Sequence, residues 1–213
     1  MTGDLAYAGL VEAAAALGAA TLHEAAGRIG ALPAAIRPVR PGMRVAGPAL
    51  TVRSPSGDNL WLHRAIYRAR PGEVIVCDVG DEPEYGYWGE VMVLASVVRG
   101  VAGLVISGGV RDSDRFDAYA FPAFSATVSI RGTGKDPAGD GAVGVPIRIG
   151  EVDIRPGDLV VGDADGVVVL PAELASRAVS AGRDRERKEQ DVFARLRAGE
   201  TTIDIYDLPR EER

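Results

Sequence analysis

The feature that most constrains the fold is an apolar run at residues 101–106, which is followed, after Ser107, by Gly108 and Gly109. Such a run is typical of a buried strand, and two glycines at its end indicate a backbone that bends or approaches a ligand closely. Arg111 and Asp112 come next. At the end of a core strand, this pair offers a fixed cation for an oxyanion and a hard oxygen ligand for a divalent metal. The alternative is a turn with a surface ion pair.

Length and composition indicate one soluble domain, of the size usual for α/β folds. The chain has 213 residues, of which 46% are hydrophobic and 25% charged, as in ordinary globular proteins. The net charge of −6 argues against a general nucleic-acid binder. The sequence contains no run of about 18 apolar residues, the length that a membrane span needs. The amino-terminal stretch lacks the basic start of a signal peptide. We therefore expect a cytoplasmic protein.

Cysteine and histidine content narrows the chemistry. Cys77, the single cysteine, excludes an internal disulfide and favours a reducing compartment. Its apolar neighbours predict a packed core thiol rather than a nucleophile. The two histidines, His23 and His63, cannot form a histidine-rich metal site. Any metal would be held by carboxylates and water, which favours magnesium or manganese.

The pattern predicts an α/β first half, a β-rich second half and a closing helix, in one compact domain over residues 1–213. Helices are expected within about 4–30, where Gly18 ends the first and Thr21 with Glu24 caps the second, and also from Asp58 and near 88–99, 114–120 and 171–198. Loop residues are expected at 80–87. Strands are expected at 44–52 (broken at Gly47-Pro48), 73–79, 101–106, 124–130, 143–149, 158–161 and 166–170.

Two strand ends carry polar residues suited to a site. In open α/β sheets, ligands bind beyond the carboxyl ends of strands, next to helix amino termini. The backbone of Gly89, Glu90, Val91 and Met92, at a predicted helix start, could bind a carboxylate. The alternative for Glu90 is a first-turn acid that complements the helix dipole.

Other candidate motifs have simpler explanations. The acidic loop at 81–84 reads as a solvated turn, and the turn at 163–166 lacks the further ligands of a calcium loop. The basic, glycine-rich stretch at 131–135 lacks nucleotide-loop spacing. Packing explains Trp61 and His63, and the charged run at 183–191 is typical of a solvated helix face.

Taken together, these segments resemble the RraA-like family, which includes the 4-hydroxy-4-methyl-2-oxoglutarate/4-carboxy-4-hydroxy-2-oxoadipate aldolases. The resemblance covers about residues 20–190. It rests on Gly-Gly-Val-Arg-Asp at 108–112, on Gly-Glu at 89–90, and on the Pro-Gly-Asp and Gly-Asp-Ala-Asp-Gly turns at 156–158 and 162–166. The first two elements are fairly specific, whereas the individual turns are not.

The resemblance implies a metal-dependent aldolase that forms or cleaves a carbon bond next to pyruvate and also decarboxylates oxaloacetate. Arg111 would bind the pyruvyl ketone oxygen, Asp112 would hold Mg²⁺ or Mn²⁺, and the backbone of residues 89–92 would bind the carboxylate. Glu90 would activate a water as base. The family further implies an αββα swivelling-type domain in homotrimers or homohexamers, with active sites at the interfaces and a small 2-oxo acid as substrate.

Some residues differ from the usual pattern of the family, and the family also suggests an alternative function. Glu90 stands where many aldolases have aspartate, which extends the carboxylate by roughly 1.5 Å. Residues 21–25 depart from the usual Thr-containing segment ending in Asp-Ala. An acid from a neighbouring subunit is also implied, with Glu186 and Glu189 as candidates. Some RraA-like proteins instead inhibit ribonuclease E by binding it, but they typically lack the aspartate after the arginine. A methyltransferase is disfavoured, because no glycine-rich cofactor loop follows the first strand.

Overall fold

The computed structural model describes residues 2–210 as a mixed α/β fold, which confirms the predicted class. The helices are α1 (Thr2–Leu17), α2 (Ala19–Ala25), α3 (Leu60–Arg68), α4 (Glu90–Arg99), α5 (Ala172–Arg197) and α6 (Thr202–Ile205), and a 3₁₀ helix spans Ser113–Tyr119. The strands are β1 (Arg37–Pro38), β2 (Val45–Arg53), β3 (Val74–Asp78), β4 (Gly86–Trp88), β5 (Gly103–Val110), β6 (Ala123–Val128), β7 (Ala142–Val143), β8 (Ile147–Ile149), β9 (Val152–Ile154), β10 (Leu159–Asp163) and β11 (Gly166–Leu170). Residues 1 and 211–213 of the predicted domain lie outside the described residues.

One large sheet organises the molecule and curls until its two ends meet. Its order is β1-β6-β5-β3-β2-β10-β11, with parallel pairing from β2 to β6 and antiparallel pairing from β2 to β11. Ala31, just before β1, bridges Val168 of β11. Arg37 of β1 also donates a hydrogen bond of 2.7 Å to the carbonyl of Asp165. The sheet is therefore a nearly closed barrel.

Strand β2 joins the two pairing modes without a break. Its residues 45–48 pair with β10, and its residues 49–53 pair with β3. The predicted interruption at Gly47-Pro48 is therefore wrong. These residues lie where β2 exchanges one neighbour for the other. A Cβ on Gly47 would lie 2.4 Å from the Gly72 carbonyl oxygen, so glycine allows the close approach.

Helices cover the sheet in two groups. Helices α3 and α4 bury Leu62, Ile66 and Val93 against the parallel strands. Helices α1, α2 and α5 pack on β10 and β11 around a separate cluster that includes Leu22 and Leu170. Within residues 2–210, no helix is both long enough and apolar enough to span a bilayer.

Several predicted local features are corrected by long-range contacts. Thr21 does not cap α2: the helix begins directly after Gly18, and its Ala19 N–H donates to the distant Asp163 carboxylate at 2.8 Å. The loop predicted at 80–87 ends in β4, and the strand predicted at 143–149 is divided into β7 and β8. The helix predicted at 114–120 is a 3₁₀ helix over Ser113–Tyr119. The short β9 and α6 were not predicted.

Candidate active site

The candidate site lies where β5 ends beside β4. The sequence predicts that strand β5 ends at the two glycines, but in the structure it continues through them to Val110. A Cβ on Gly108 would lie 2.7 Å from the Tyr87 ring, and one on Gly109 would lie 2.6 Å from the Tyr85 carbonyl oxygen. These glycines therefore admit the β4 segment against β5, where the Arg111 N–H donates to the Trp88 carbonyl at 2.8 Å.

The structure brings Arg111 and Asp112 onto the amino terminus of α4. Asp112 Oδ2 accepts the Glu90 N–H at 3.1 Å and lies 3.7 Å from Arg111 Nε. A Cβ on Gly89 would lie 2.5 Å from Asp112 Oδ2 and 3.1 Å from Arg111 Nε. Glycine at 89 is thus required for these side chains to cross the helix start. The predicted cluster of Gly89, Glu90, Arg111 and Asp112 does assemble.

The backbone of Asp112 is unusual for a side-chain-bearing residue. Its φ of 56° and ψ of 33° place it in the left-handed region, where aspartate is among the few residues that are tolerated. Such conformations concentrate at functional sites, because the surrounding structure must hold them. The Asp112 side chain is 43% exposed. Its other carboxylate oxygen, Oδ1, has no hydrogen-bond partner within residues 2–210.

The predicted carboxylate cradle is partly engaged within the chain. The Glu90 N–H donates to Asp112, and the Met92 N–H donates to the Gly89 carbonyl at 2.9 Å. A carboxylate ligand would therefore depend on the N–H groups of Gly89 and Val91, together with the positive end of the helix dipole.

A cavity of about 260 Å³ opens beside Arg111. It brings together the start of α4, the start of α3 and the loop at 132–135. Its lining residues are Asn59, His63, Gly86, Tyr87, Gly89, Val91, Met92, Arg111, Gly132, Thr133 and Lys135. The cavity thus has one wall formed by the predicted residues and another that the sequence did not indicate.

That second wall is polar and cationic. Asn59 is 6% exposed, and its Nδ2 donates to the Tyr87 carbonyl at 2.9 Å, while its Oδ1 is buried without a partner in the described chain. Burial lowers the pKa of His63, and the nearby Lys135 ammonium lowers it further, against an opposing effect of Asp58. His63 is therefore neutral at pH 7 and can donate or accept a hydrogen bond.

The sequence explains His63 by packing and gives the basic loop at 131–135 no role, whereas in the structure His63, Gly132, Thr133 and Lys135 line this cavity. The missed signal is the spacing of Asn59 and His63, because residues four apart lie on one helix face. Asp58 holds the loop against this face. Its backbone forms a β-bridge with Gly134, and its carboxylate accepts the Asp136 N–H with one oxygen and the Leu60 N–H with the other.

Glu90 is not among the residues that line the cavity. Its Oε1 accepts a hydrogen bond of 2.8 Å from the hydroxyl of Tyr119, at the end of the 3₁₀ helix. This hydrogen bond raises the pKa of Tyr119, so the hydroxyl remains protonated at neutral pH and acts as a donor. Sequence reasoning did not identify Tyr119.

Other acidic candidates do not join the site within one chain. Glu189 pairs with Arg185 at 3.0 Å on α5, the helix that also carries Glu186 and packs on α1 and α2. Asp163 lies in the tight β10–β11 hairpin, where its carboxylate accepts the N–H groups of Ala19 and Asp165. In the described part of the chain, no three histidine, cysteine or acidic residues gather to hold a metal.

The residues present nevertheless fit a magnesium or manganese ion. These hard cations often bind through one or two carboxylates and keep several waters. Asp112 offers such a carboxylate: it is half-exposed, fixed by the Glu90 N–H, and has Oδ1 unengaged in the described chain. A dense protein cage of ligands is not needed for this coordination.

The fold and the site together define a class: an α/β barrel with an arginine–aspartate pair at the carboxyl end of a core strand, beside a helix amino terminus and a polar cavity. A family model described as RraA-like, Aldolase/RraA, matches residues 8–169. The chain therefore belongs to the RraA-like family.

Known proteins of similar sequence and structure agree with this assignment. The chain is 39% identical over 167 residues to a Halalkalibacterium halodurans protein named "Putative 4-hydroxy-4-methyl-2-oxoglutarate aldolase", covering 78% of this chain and 77% of the relative. An uncharacterised protein from Pseudomonas syringae pv. tomato superposes with a TM-score of 0.80 at 30% identity, covering 91% and 90%.

A third similarity is to a protein with a different described role. Streptomyces coelicolor RraAS2, described as an unusual member of the RNase ES inhibitor RraA protein family, superposes with a TM-score of 0.71 at 29% identity. The match covers 88% of this chain and 97% of that one. The family thus includes proteins named as aldolases and a protein grouped with ribonuclease inhibitors.

Proposed function

We propose that this protein is a divalent-metal-dependent aldolase that cleaves 4-hydroxy-2-oxo acids to pyruvate and also decarboxylates oxaloacetate. The observation that carries the proposal is the placement of Arg111 and Asp112 over the start of α4, with Gly89 admitting both. The name of the Halalkalibacterium halodurans relative supports the same reaction class.

Both reactions break a carbon bond to C3 of the pyruvyl unit and leave the bonding electrons as an enolate. Arg111 stabilises the negative charge that develops on the ketone oxygen, because its guanidinium is in place before the charge appears. Asp112 would hold the magnesium or manganese ion, which supplies Lewis-acid stabilisation of the same oxygen. The substrate carboxylate would bind the N–H groups at the start of α4.

Glu90 would take the proton of the C4 hydroxyl through a water while the carbon bond breaks. The C4 hydroxyl becomes a carbonyl, and the enolate then gains a proton at C3 to give pyruvate. In oxaloacetate, carbon dioxide leaves instead, so no hydroxyl proton is removed. Since Lys135 and Lys188 are the chain's lysines and neither lies in an apolar strand, the proposal does not use a Schiff base.

The cationic wall of the cavity supports an acidic distal half of the substrate. Lys135 carries a charge that would attract a second carboxylate, and neutral His63 would orient it by donating a hydrogen bond from its ring N–H. Oxaloacetate and 4-hydroxy-2-oxo diacids have this second carboxylate. Monocarboxylic analogues are therefore expected to have the higher KM.

We also propose a homotrimer or homohexamer with active sites at its interfaces. Helix α4 presents Val91, Leu94 and Val98 to solvent beside the site, with Val91 and Val98 each more than three-quarters exposed. An apolar stripe of this kind favours burial against another copy, which could also bring in Glu186 or Glu189. Light scattering of the purified protein measures the assembly: a strictly monomeric active protein would contradict this part.

The reaction is tested by pyruvate release from oxaloacetate and from 4-hydroxy-4-methyl-2-oxoglutarate with Mg²⁺ or Mn²⁺. We expect turnover that chelator removes and that Mg²⁺ restores. Arg111→Ala is expected to lower kcat by about 10²–10³-fold, the usual effect of losing a group that stabilises an oxyanion. Chelator-resistant turnover, or full activity of Arg111→Ala, would contradict the mechanism.

A second candidate is a non-catalytic regulator that binds ribonuclease E. The similarity to Streptomyces coelicolor RraAS2 favours it. Inhibition of ribonuclease E by the purified protein, with no metal-dependent pyruvate release, would support this function over the aldolase. Asp112, with its unengaged Oδ1, favours the aldolase.

A further inference from the structure

The Glu90 carboxylate is tied to a distant part of the chain by one hydroxyl. Tyr119 donates to Glu90 Oε1 at 2.8 Å, across 29 positions of sequence. Glu90 begins α4, whereas Tyr119 ends the 3₁₀ helix that follows Asp112. The contact is therefore a tertiary constraint on an acid that the proposed function uses for proton transfer.

The turn that carries Tyr119 is fixed at both ends. Asp112 before it and Ala120 after it have φ values of 56° and 49°, in the left-handed region that is unfavourable for a residue with a Cβ. Such backbone persists only where the surrounding structure determines it. Phe116, midway along the turn, is fully buried in the core. Tyr119 thus projects from a turn that Phe116 anchors in the core.

Glutamate needs such a partner more than aspartate would. A glutamate side chain has one more rotatable bond than aspartate, so fixing it costs more rotamer entropy. The Glu90 N–H already donates to Asp112. Among the described residues, the Tyr119 hydroxyl is the one hydrogen-bond partner of the Glu90 carboxylate, and Oε2 is left unengaged.

We propose that Tyr119 is a positioning residue, which holds Glu90 through Oε1 and leaves Oε2 to accept the substrate proton through a water. The inference rests on the proposed function, in which Glu90 is the base. It also explains how a glutamate, with its longer side chain, can serve at this position: the Tyr119 hydroxyl limits where the carboxylate can go. A hydrogen bond from a hydroxyl to a carboxylate is among the stronger kinds.

A double-mutant cycle on 4-hydroxy-4-methyl-2-oxoglutarate cleavage tests the inference, with Tyr119→Phe, Glu90→Gln and both together. We expect Tyr119→Phe to lower kcat about tenfold with KM for substrate and for Mg²⁺ unchanged. Glu90→Gln should lower kcat further, and adding Tyr119→Phe to it should change nothing more, because no base remains to be positioned. Tyr67→Phe, on exposed α3 surface, is the matched control and should keep full activity.

The outcomes separate the two proposals. An active wild-type protein whose Tyr119→Phe variant has unchanged kcat overturns the positioning role alone. So does a Tyr119→Phe loss of the same factor in the Glu90→Gln background, since that result indicates a structural defect independent of the base. A wild-type protein without metal-dependent cleavage overturns the proposed function and this inference together.

Discussion

The parallel and antiparallel halves of the sheet use their acids differently. In the antiparallel half, Asp158 is 5% exposed, and its two oxygens accept the N–H groups of Arg155 and Ala172 at 2.7 and 3.1 Å. In the parallel half, Asp112 is half-exposed and engages the chain through one oxygen. The comparison teaches that Asp112, unlike Asp158, keeps one carboxylate oxygen that the described chain does not engage and that a ligand can use.

The largest effect is expected in Asp112→Asn, which tests this comparison because it should lose activity without losing stability. The amide removes the negative charge that would hold Mg²⁺, and we expect pyruvate release to fall by at least about 10²-fold. The melting temperature should change little, because the side chain is exposed and makes one backbone contact. Steady-state kinetics over a Mg²⁺ titration, with calorimetric melting, measures both. Substantial unfolding of Asp112→Asn would place Asp112 with the structural acids.

The next largest effect is expected in Asp158→Asn, which should lower stability and leave activity unchanged. An asparagine must face one of the two N–H donors with its own amide, which leaves a buried donor without an acceptor. We expect the free energy of unfolding to fall by about 1–3 kcal/mol. Urea denaturation measures this change, and kcat per folded molecule should equal that of the wild type. A lower kcat at full folding would break the comparison, because it would connect the antiparallel half to the reaction.

The smallest effect concerns the cationic wall. Burial and the Lys135 ammonium hold the pKa of His63 below its ordinary value, so Lys135→Met should raise this pKa. The unfolded chain binds a proton at His63 more readily than the folded protein does. The free energy of unfolding of the wild type is therefore highest above about pH 6.5, and it declines as the pH falls through the lower pKa of His63 in the folded state. NMR titration of the His63 ring measures the shift. A lower pKa in Lys135→Met would contradict the assigned cause.

The sequence predicted the local half of the site. Arg111 and Asp112 follow an apolar strand directly, and Gly89 and Glu90 lie at the start of an amphipathic helix, so neighbouring residues carry the signal. The β4–β5 pairing that joins the two segments has its basis in Gly108 and Gly109, which the sequence showed as a strand end. The general α/β architecture was equally accessible, because periodicity and turn residues encode it.

The remainder depended on contacts between distant residues. His63 and Lys135 come together because Asp58 binds the backbone beside Gly134, and Tyr119 reaches Glu90 through a 3₁₀ helix where an α-helix was predicted. The wrong Thr21 cap has the same origin, since Asp163 caps α2 from 144 positions away. Local sequence patterns contain no information on such pairings.

Strand β2 has a consequence for how the chain unfolds. One continuous backbone hydrogen-bonds to β10 along its first part and to β3 along the rest, so neither half keeps its sheet if the other is lost. Heating should therefore melt the molecule in a single cooperative transition, and fragments cut on either side of β2 should not fold independently.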